Sequence, residues 1–338
     1  MKILRHIFPA IRKAFKKKDQ IYYVMVEITT ACNLKCMMCN IWRKEAKFMD
    51  VDLFKKIFEV GTIEHVNITG GEPTLHPNIF EILEVALANN REVLLNSNGF
   101  NHSRTFEVVE HAGRLGGNRF IILLSIDGME ETHDSIRGVR GSFSNVMKAL
   151  EQVYALSKVF HFSIWVNSML FDWNIDSVIE LHKYLRENFK GVRHSFSIPV
   201  YSKPYYDNKD KDLKPPSIEK VKKLMKYIVT PPLLAYIDAV NGSRCFPCGF
   251  GATSAFIDVD GDVYTCPYAF DTPIGNLKES LLGSVWSQKE RTEQALRLDY
   301  GLGKKCKTCP LTCDLMISAE VKPFRTATCL LKHIGCFL

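Results

Sequence analysis

The sequence predicts an α/β protein built on a six-stranded, partly closed barrel, followed by a cysteine-rich region. Three observations carry this. Short apolar runs alternate with segments of helical spacing between residues 22 and 199. Cys32, Cys36 and Cys39 form a C-x3-C-x2-C loop directly after the first of those runs. Eight of the eleven cysteines then crowd into residues 245–336.

The strand-like runs are 22–28, 65–69, 92–96, 120–126, 161–166 and 192–199. Between them, 51–60, 78–88, 103–112, 142–156 and 175–187 place apolar residues at helical intervals. Strand–helix alternation implies β-α units and a parallel sheet. Six strands are too few for a full eight-stranded barrel, so the expectation is a partial (β/α)6 TIM-type barrel. Ligands of parallel β/α folds gather at the carboxyl ends of the strands. From residue 201 to 216 the chain is rich in Lys, Asp, Tyr and Pro, which reads as a surface linker. The expected division is therefore 1–20 as a basic N-terminal segment, 21–215 as the barrel, and 216–338 as the cysteine-rich domain.

Composition bounds the function. At 338 residues, with 46% hydrophobic and 24% charged residues, the chain has the make-up of a globular protein with a large core. No apolar run approaches the roughly 20 residues needed to span a bilayer, and no secretory signal is present. A cytoplasmic location is expected. In a reducing compartment, grouped thiols read as metal or cluster ligands rather than disulfides. The net charge of +7 is accounted for by seven basic residues among the first 18, where there is no Asp or Glu. A nucleic-acid binder would carry basic residues on its folded face as well, so nucleic acid is not an expected partner. In the same segment Ile3, Leu4, Ile7, Phe8, Ile11 and Phe15 recur at helical spacing, although Pro9 would kink or shorten a helix. Two readings fit: a helix packed on the body with its lysines in solvent, or peripheral contact with an anionic membrane.

Three thiolates on one short loop can bind three irons of a cubane cluster and leave the fourth iron open. A three-cysteine zinc site is the plain alternative, but structural zinc takes four protein ligands. Polar motifs then follow the later strands. Gly70-Gly71-Glu72-Pro73 comes after the second, with glycines for close backbone approach and Glu72 as a helix cap. Asn96-Ser97-Asn98-Gly99 ends the third, and Ser125-Ile126-Asp127-Gly128 ends the fourth. Downstream lies His133-Asp134-Ser135-Ile136-Arg137-Gly138, in which Arg137 could simply be a surface residue paired with Asp134.

In this order and on these elements, the motifs resemble those of the radical S-adenosylmethionine (SAM) superfamily. The resemblance implies a 4Fe-4S cluster on Cys32, Cys36 and Cys39, with SAM on the open iron. It implies that Gly70, Gly71, Glu72 and Pro73 meet the methionine amino group, that Asn98 makes a polar contact, and that Ser125 and Asp127 serve the ribose. Arg137 would meet the methionine carboxylate through its two-pronged donor geometry. Many relatives place an aromatic residue before the third cysteine; here it is Met38, whose thioether could pack there instead.

The second half predicts a hairpin at Asp260-Gly261, with Cys266 on the returning strand. Asp258, Asp260 and Asp262 do not make a calcium loop, because Ala269 stands where its closing glutamate would be. Cys248 followed by Gly261-x4-Cys266, then Cys306-x2-Cys309-x3-Cys313, resembles the SPASM extension of radical SAM enzymes, which carries auxiliary 4Fe-4S clusters. The central block is one cysteine short of that pattern. The expected auxiliary ligands are Cys245, Cys248, Cys266, Cys306, Cys309, Cys313 and Cys329, with Cys336 in reserve and one or two clusters. A zinc ribbon of Cys245, Cys248, Cys306 and Cys309 is the alternative.

The expected function is a radical SAM oxidoreductase that cleaves SAM reductively and abstracts hydrogen from a peptide, sugar, haem precursor or lipid-linked compound. An auxiliary cluster would accept the electron, and a flavodoxin- or ferredoxin-type donor would supply the first one. The spacing of His, Asp and Tyr residues singles out no acid or base. The competing class is a non-catalytic iron–sulfur or zinc protein acting as a redox sensor or cluster carrier.

Overall fold

In the computed structural model, residues 20–242, 244–268, 270–298, 306, 309 and 323–332 are described. The basic N-terminal segment, Cys313 and Cys336 lie outside them. One sheet organises the chain, in the order β6-β5-β4-β3-β2-β1-β7-β8-β9. The first six strands are β1 (Tyr23–Glu27), β2 (His65–Thr69), β3 (Glu92–Ser97), β4 (Phe120–Ser125), β5 (Ser163–Met169) and β6 (Arg193–Ser197). All five pairings among them are parallel, as the strand–helix alternation requires.

The crossings are made by α1 (Val51–Lys56), α2 (Ile79–Leu87), α3 (His102–Gly116), α4 (Glu130–Arg137), α5 (Ser142–Phe160) and α6 (Ile175–Asn188). Side-chain oxygens start two of them: Asp50 accepts the Asp52 N–H at 2.8 Å, and Asn101 accepts the Arg104 N–H at 3.1 Å. Alternate strand residues such as Val24, Val26, Val93, Leu95, Ile122 and Leu124 bury the main core against these helices. The other face of each strand lines a central cavity: Tyr23 and Met25, Asn67, Leu94 and Asn96, Leu123 and Ser125, Trp165 and Asn167. A six-stranded barrel is thus apolar outside and partly polar within, which the uninterrupted apolar runs do not announce.

The sheet does not end with the barrel. β7 (Ser254–Ile257) pairs parallel with β1, and β8 (Asp262–Tyr264) and β9 (Gly275–Asn276) continue antiparallel. The expected hairpin is present. Asp258 Oδ1 accepts the N–H groups of Asp260 and Asp262, both at 3.0 Å, so these aspartates build the turn. Cys266 falls two residues past the end of β8 rather than on it. Further helices are α7 (Ile218–Met225), α8 (Pro231–Val240), α9 (Leu282–Trp286), α10 (Lys289–Leu298) and α11 (Pro323–Lys332). Among the described residues no helix is long and apolar enough to cross a membrane.

Two expectations need correction. Cys245 and Cys329 are joined in a disulfide across 84 residues, not held apart as two free ligands. Both pack with Leu234, Ala235 and Phe246, an apolar site that favours a neutral disulfide over two thiolates. In this state neither sulfur can ligate iron, and the zinc ribbon that needs Cys245 loses a member. The stretch from 201 to 216 is not a plain surface linker either. Ser202 is 3% exposed and Asn208 fully buried, each with every side-chain polar atom bonded into the body.

Candidate active site

The three-cysteine loop opens on the central cavity, of about 770 Å³, at the carboxyl ends of the strands. Cys32, Cys36 and Cys39 all line it, with Gly70, Gly71, Glu72, Pro73, Asn98, Ser125 and Arg137. Seven of the eight residues expected to contact a cofactor therefore share one wall with the three thiols.

Local geometry explains how. Gly71 N–H donates to Thr29 O at 2.7 Å and Glu72 N–H to Ala31 O at 2.8 Å, binding the end of β2 to the start of the cysteine loop. On the other side, the end of α4 docks on the loop: Lys35 N–H donates to Arg137 O at 3.0 Å and Met37 N–H to Ile136 O at 2.9 Å. Gly138 caps α4 in the left-handed region, φ 69°, and a Cβ there would lie 2.4 Å from Lys35 O. Only glycine allows that approach. Within the loop, Cys39 N–H donates to Cys36 O at 3.1 Å, and Ile41 N–H points at Cys39 Sγ at 3.4 Å.

Glu72 is a clamp. It caps the short 3-10 helix Pro73–Leu75, as expected, and its buried carboxylate accepts from Thr74 N–H and Oγ1, Ser97 Oγ and Asn98 N–H. Burial raises its pKa; the hydrogen bonds from Asn98, Thr74 and Ser97 oppose this. Asn98 is fixed in turn, with Nδ2 donating to Asn33 Oδ1 at 2.8 Å. Ser125 is half-buried at the end of β4.

Arg137 is not a surface partner of Asp134. It is 7% exposed, and its Nε pairs with Asp127 Oδ2 at 2.6 Å. Its Nη1 lies 3.7 Å from Cys36 Sγ. Burial disfavours the guanidinium charge, but Asp127 and Cys36 together raise its pKa. The same arginine lines the cavity beside the cysteine loop. Asp127 departs from its expected role as a ribose contact. It is fully buried off the cavity wall, with Oδ1 accepting from Met169 N–H at 2.8 Å. Its task is to hold Arg137. His133, whose Nδ1 accepts the Asp127 N–H at 3.1 Å, is pushed down to about 3 by burial and by Arg137, so it stays neutral beside that ion pair.

Burial pushes the thiols of Cys32 and Cys39 up to about 12 and raises Cys36 as well. Such thiols ionise when bound iron supplies positive charge. Among the described residues no three His, Cys, Asp or Glu side chains converge on a single metal ion. Three thiols spread around a cavity mouth suit a polynuclear cluster, in which each iron takes one thiolate. The residues fit a 4Fe-4S group. Met38, 5% exposed, packs with Ile136, Met169, Phe171 and Leu213 while also lining the cavity. Among the auxiliary cysteines, Cys248 and Cys266 pack beside Tyr205 and Phe256, and Cys266 also joins Cys306 and Phe270.

Asn96 apart, the polar inner wall escaped the sequence reading. Asn96 Nδ2 donates to Asn67 Oδ1 at 2.5 Å and Ile68 O at 2.9 Å, and Asn167 Oδ1 accepts from Ser195 and Ser197. The signal was there as asparagines at inward register inside apolar runs. Sequence reading also missed Glu27, 2% exposed at the end of β1, whose pKa is raised to about 8 by burial and then by Asp258. Asp260 adds to this rise, while Lys44 and the Val259 N–H oppose it. Below its unfolded pKa both states are protonated; above it the unfolded chain ionises first, so stability falls as pH rises from about 4.5 to about 8. Glu27→Gln is expected to flatten that fall, as read from denaturation midpoints across the interval.

Comparison with known proteins agrees with this geometry. The radical SAM superfamily model matches residues 26–187, and an iron–sulfur cluster-binding domain, SPASM, matches residues 248–310. Mycofactocin maturase MftC of Mycolicibacterium smegmatis is 26% identical over 307 residues, covering 84% of this chain and 74% of that protein. The antilisterial bacteriocin subtilosin biosynthesis protein AlbA of Bacillus subtilis is 25% identical, covering 83% of this chain and 64% of its own. In fold, the chain is similar to Streptococcus suis SuiB bound to precursor peptide SuiA (TM-score 0.63, 17% identity, 93% of this chain and 76% of SuiB). The cofactors of this family are 4Fe-4S clusters and SAM. With the two matched segments, the partial barrel and the cavity-facing thiols taken together, the chain belongs to the radical SAM superfamily and carries a SPASM domain.

Proposed function

We propose that this protein modifies a peptide by radical SAM chemistry, with its first cluster on Cys32, Cys36 and Cys39 and an auxiliary cluster on Cys248, Cys266, Cys306 and Cys309. The observation that carries the reading is the single cavity shared by the three thiols and the motifs at the ends of β2, β3 and β4. A sensor or cluster carrier has no need of those motifs. When bound, the cluster supplies one electron to break a C–S bond of SAM, and the adenosyl radical so formed takes a hydrogen atom from the substrate.

The chain's own residues bind and orient. Arg137 presents its guanidinium to the methionine carboxylate, held in place by Asp127. Glu72 fixes Ser97 and Asn98 at the lip of the cavity, and Ser125 stands beside them as a polar contact. The peptide reading is supported by relatives named as a maturase and as a bacteriocin biosynthesis protein, and by the amides and hydroxyls of Asn67, Asn96, Asn167, Ser195 and Ser197 on the wall. Such groups can hydrogen-bond the amides of a peptide segment. The auxiliary site suits an oxidative outcome, in which the substrate radical gives up an electron. An external donor of flavodoxin or ferredoxin type and a cytoplasmic location complete the proposal.

Anaerobic reconstitution with iron and sulfide, followed by dithionite and SAM, tests it. The intact protein is expected to form 5′-deoxyadenosine, and a Cys32→Ala, Cys36→Ala, Cys39→Ala protein only background. Equal formation by both would overturn the assignment. Iron counting on the triple variant reports the auxiliary site separately.

A further inference from the structure

Between the two cysteine sites runs a buried chain of hydrogen bonds that neither site accounts for. It starts at Met38 O, the carbonyl preceding Cys39, which accepts from Asn208 Nδ2 at 2.8 Å. Asn208 Oδ1 accepts the Ser202 N–H at 2.9 Å. Ser202 Oγ donates to Pro267 O at 2.5 Å, the carbonyl of the residue after Cys266. Three further bonds fasten the segment: Asn208 Nδ2 to Val200 O at 3.0 Å, Tyr205 N–H to Ser202 Oγ at 3.0 Å, and Asn40 N–H to Tyr206 O at 2.9 Å. Asp207 takes a left-handed φ of 50° so that the turn can close, a conformation that non-glycine residues adopt at a cost.

A surface loop would leave such groups in water. Here an amide and a hydroxyl are buried and every polar atom of both side chains is bonded. One end is the carbonyl of the Met38–Cys39 peptide bond, and the other is the carbonyl of Pro267, the residue after Cys266. Electron tunnelling decays more slowly along covalent and hydrogen bonds than across van der Waals gaps. Fully bonded buried networks also hold one geometry.

We propose that Ser202 and Asn208 are positioning residues that couple the auxiliary cysteine site to the SAM-binding loop, fixing the path by which an electron returns from one cluster to the other. The proposal rests on the cluster assignment above. In the return step the reduced auxiliary cluster loses one electron and the oxidised first cluster gains it. That electron breaks one sulfonium C–S bond, releasing methionine. In the absence of peptide the adenosyl radical takes a hydrogen atom from dithiothreitol, giving 5′-deoxyadenosine and a thiyl radical.

The experiment uses the reconstituted protein with all clusters reduced, excess reductant removed, and SAM with dithiothreitol added. Quenched samples give 5′-deoxyadenosine per chain, and freeze-quenched EPR follows the reduced auxiliary cluster directly. The wild type is expected to form one equivalent quickly and at least one more in a slower phase that tracks the loss of the auxiliary signal. Ser202→Ala and Asn208→Ala should slow that second phase at least tenfold while the first stays within twofold, and Ser202→Thr, which keeps the hydroxyl, should behave as wild type. If Asn208→Ala fails to load iron, the Ser202 pair carries the test alone. A single equivalent from the fully reduced wild type overturns the proposal, as does a second phase unchanged in Ser202→Ala. Absence of even the first equivalent overturns the proposed reaction itself, which distinguishes the two failures.

Discussion

Asp127→Ala should cost about 3–5 kcal/mol of stability, the usual consequence of stripping one partner from a buried ion pair. Asp127 is fully buried, and Arg137 would be left as an uncompensated guanidinium at 7% exposure. The Met169 N–H would lose its acceptor as well. Denaturation of the metal-free protein measures this without reference to activity. Asp127→Asn should cost less, because its amide oxygen can still accept from Met169. A double replacement by apolar residues, Asp127→Leu with Arg137→Met, should recover much of the stability while leaving SAM cleavage at background, since the guanidinium proposed to meet the methionine carboxylate is then gone. Stability that stays low in the double variant would mean that the pair does more for the fold than neutralise its own charges.

That pair also marks the limit of what the linear sequence discloses. The strands and crossing helices were legible because apolar residues recur at the periods of each element, and the described strands lie within about three residues of the expected runs. The two motifs containing Asp127 and Arg137 were legible one at a time. Their contact was not, because it depends on α4 reversing the chain between them. Burial of Ser202 and Asn208 left no trace at all: a stretch of Lys, Asp, Tyr and Pro has no apolar period to betray it. Neither did spacing reveal the Cys245–Cys329 pairing, since residues 84 apart meet only after α8 and α11 have packed. Local chemistry is readable in a sequence when the residues that perform it are neighbours along it. The cysteine loop is such a case, and the ion pair behind it is not.

Gly71→Ala should empty the first cluster site. A Cβ at Gly71 would sit 2.3 Å from Ala31 O and 2.8 Å from Thr30 O, and these are backbone atoms that no rotamer change can move. The segment they belong to leads directly into Cys32. To admit the methyl group it must retreat from β2, breaking the Gly71 N–H to Thr29 O and Glu72 N–H to Ala31 O bonds. Overpacking of this kind costs about 1–3 kcal/mol, and each lost bond about 1 kcal/mol more. The displacement falls on the loop itself, so iron bound by the first site should drop by more than half and 5′-deoxyadenosine formation by at least tenfold. Gly61→Ala supplies the control. Gly61 has a left-handed φ of 69°, which Gly71 does not, and nothing lies within 4 Å of its added Cβ. It should lose only the roughly 1 kcal/mol of backbone strain and keep its iron. Equal losses in the two variants would show that glycine flexibility, rather than the close approach of β2 to the cysteine loop, is what the site requires.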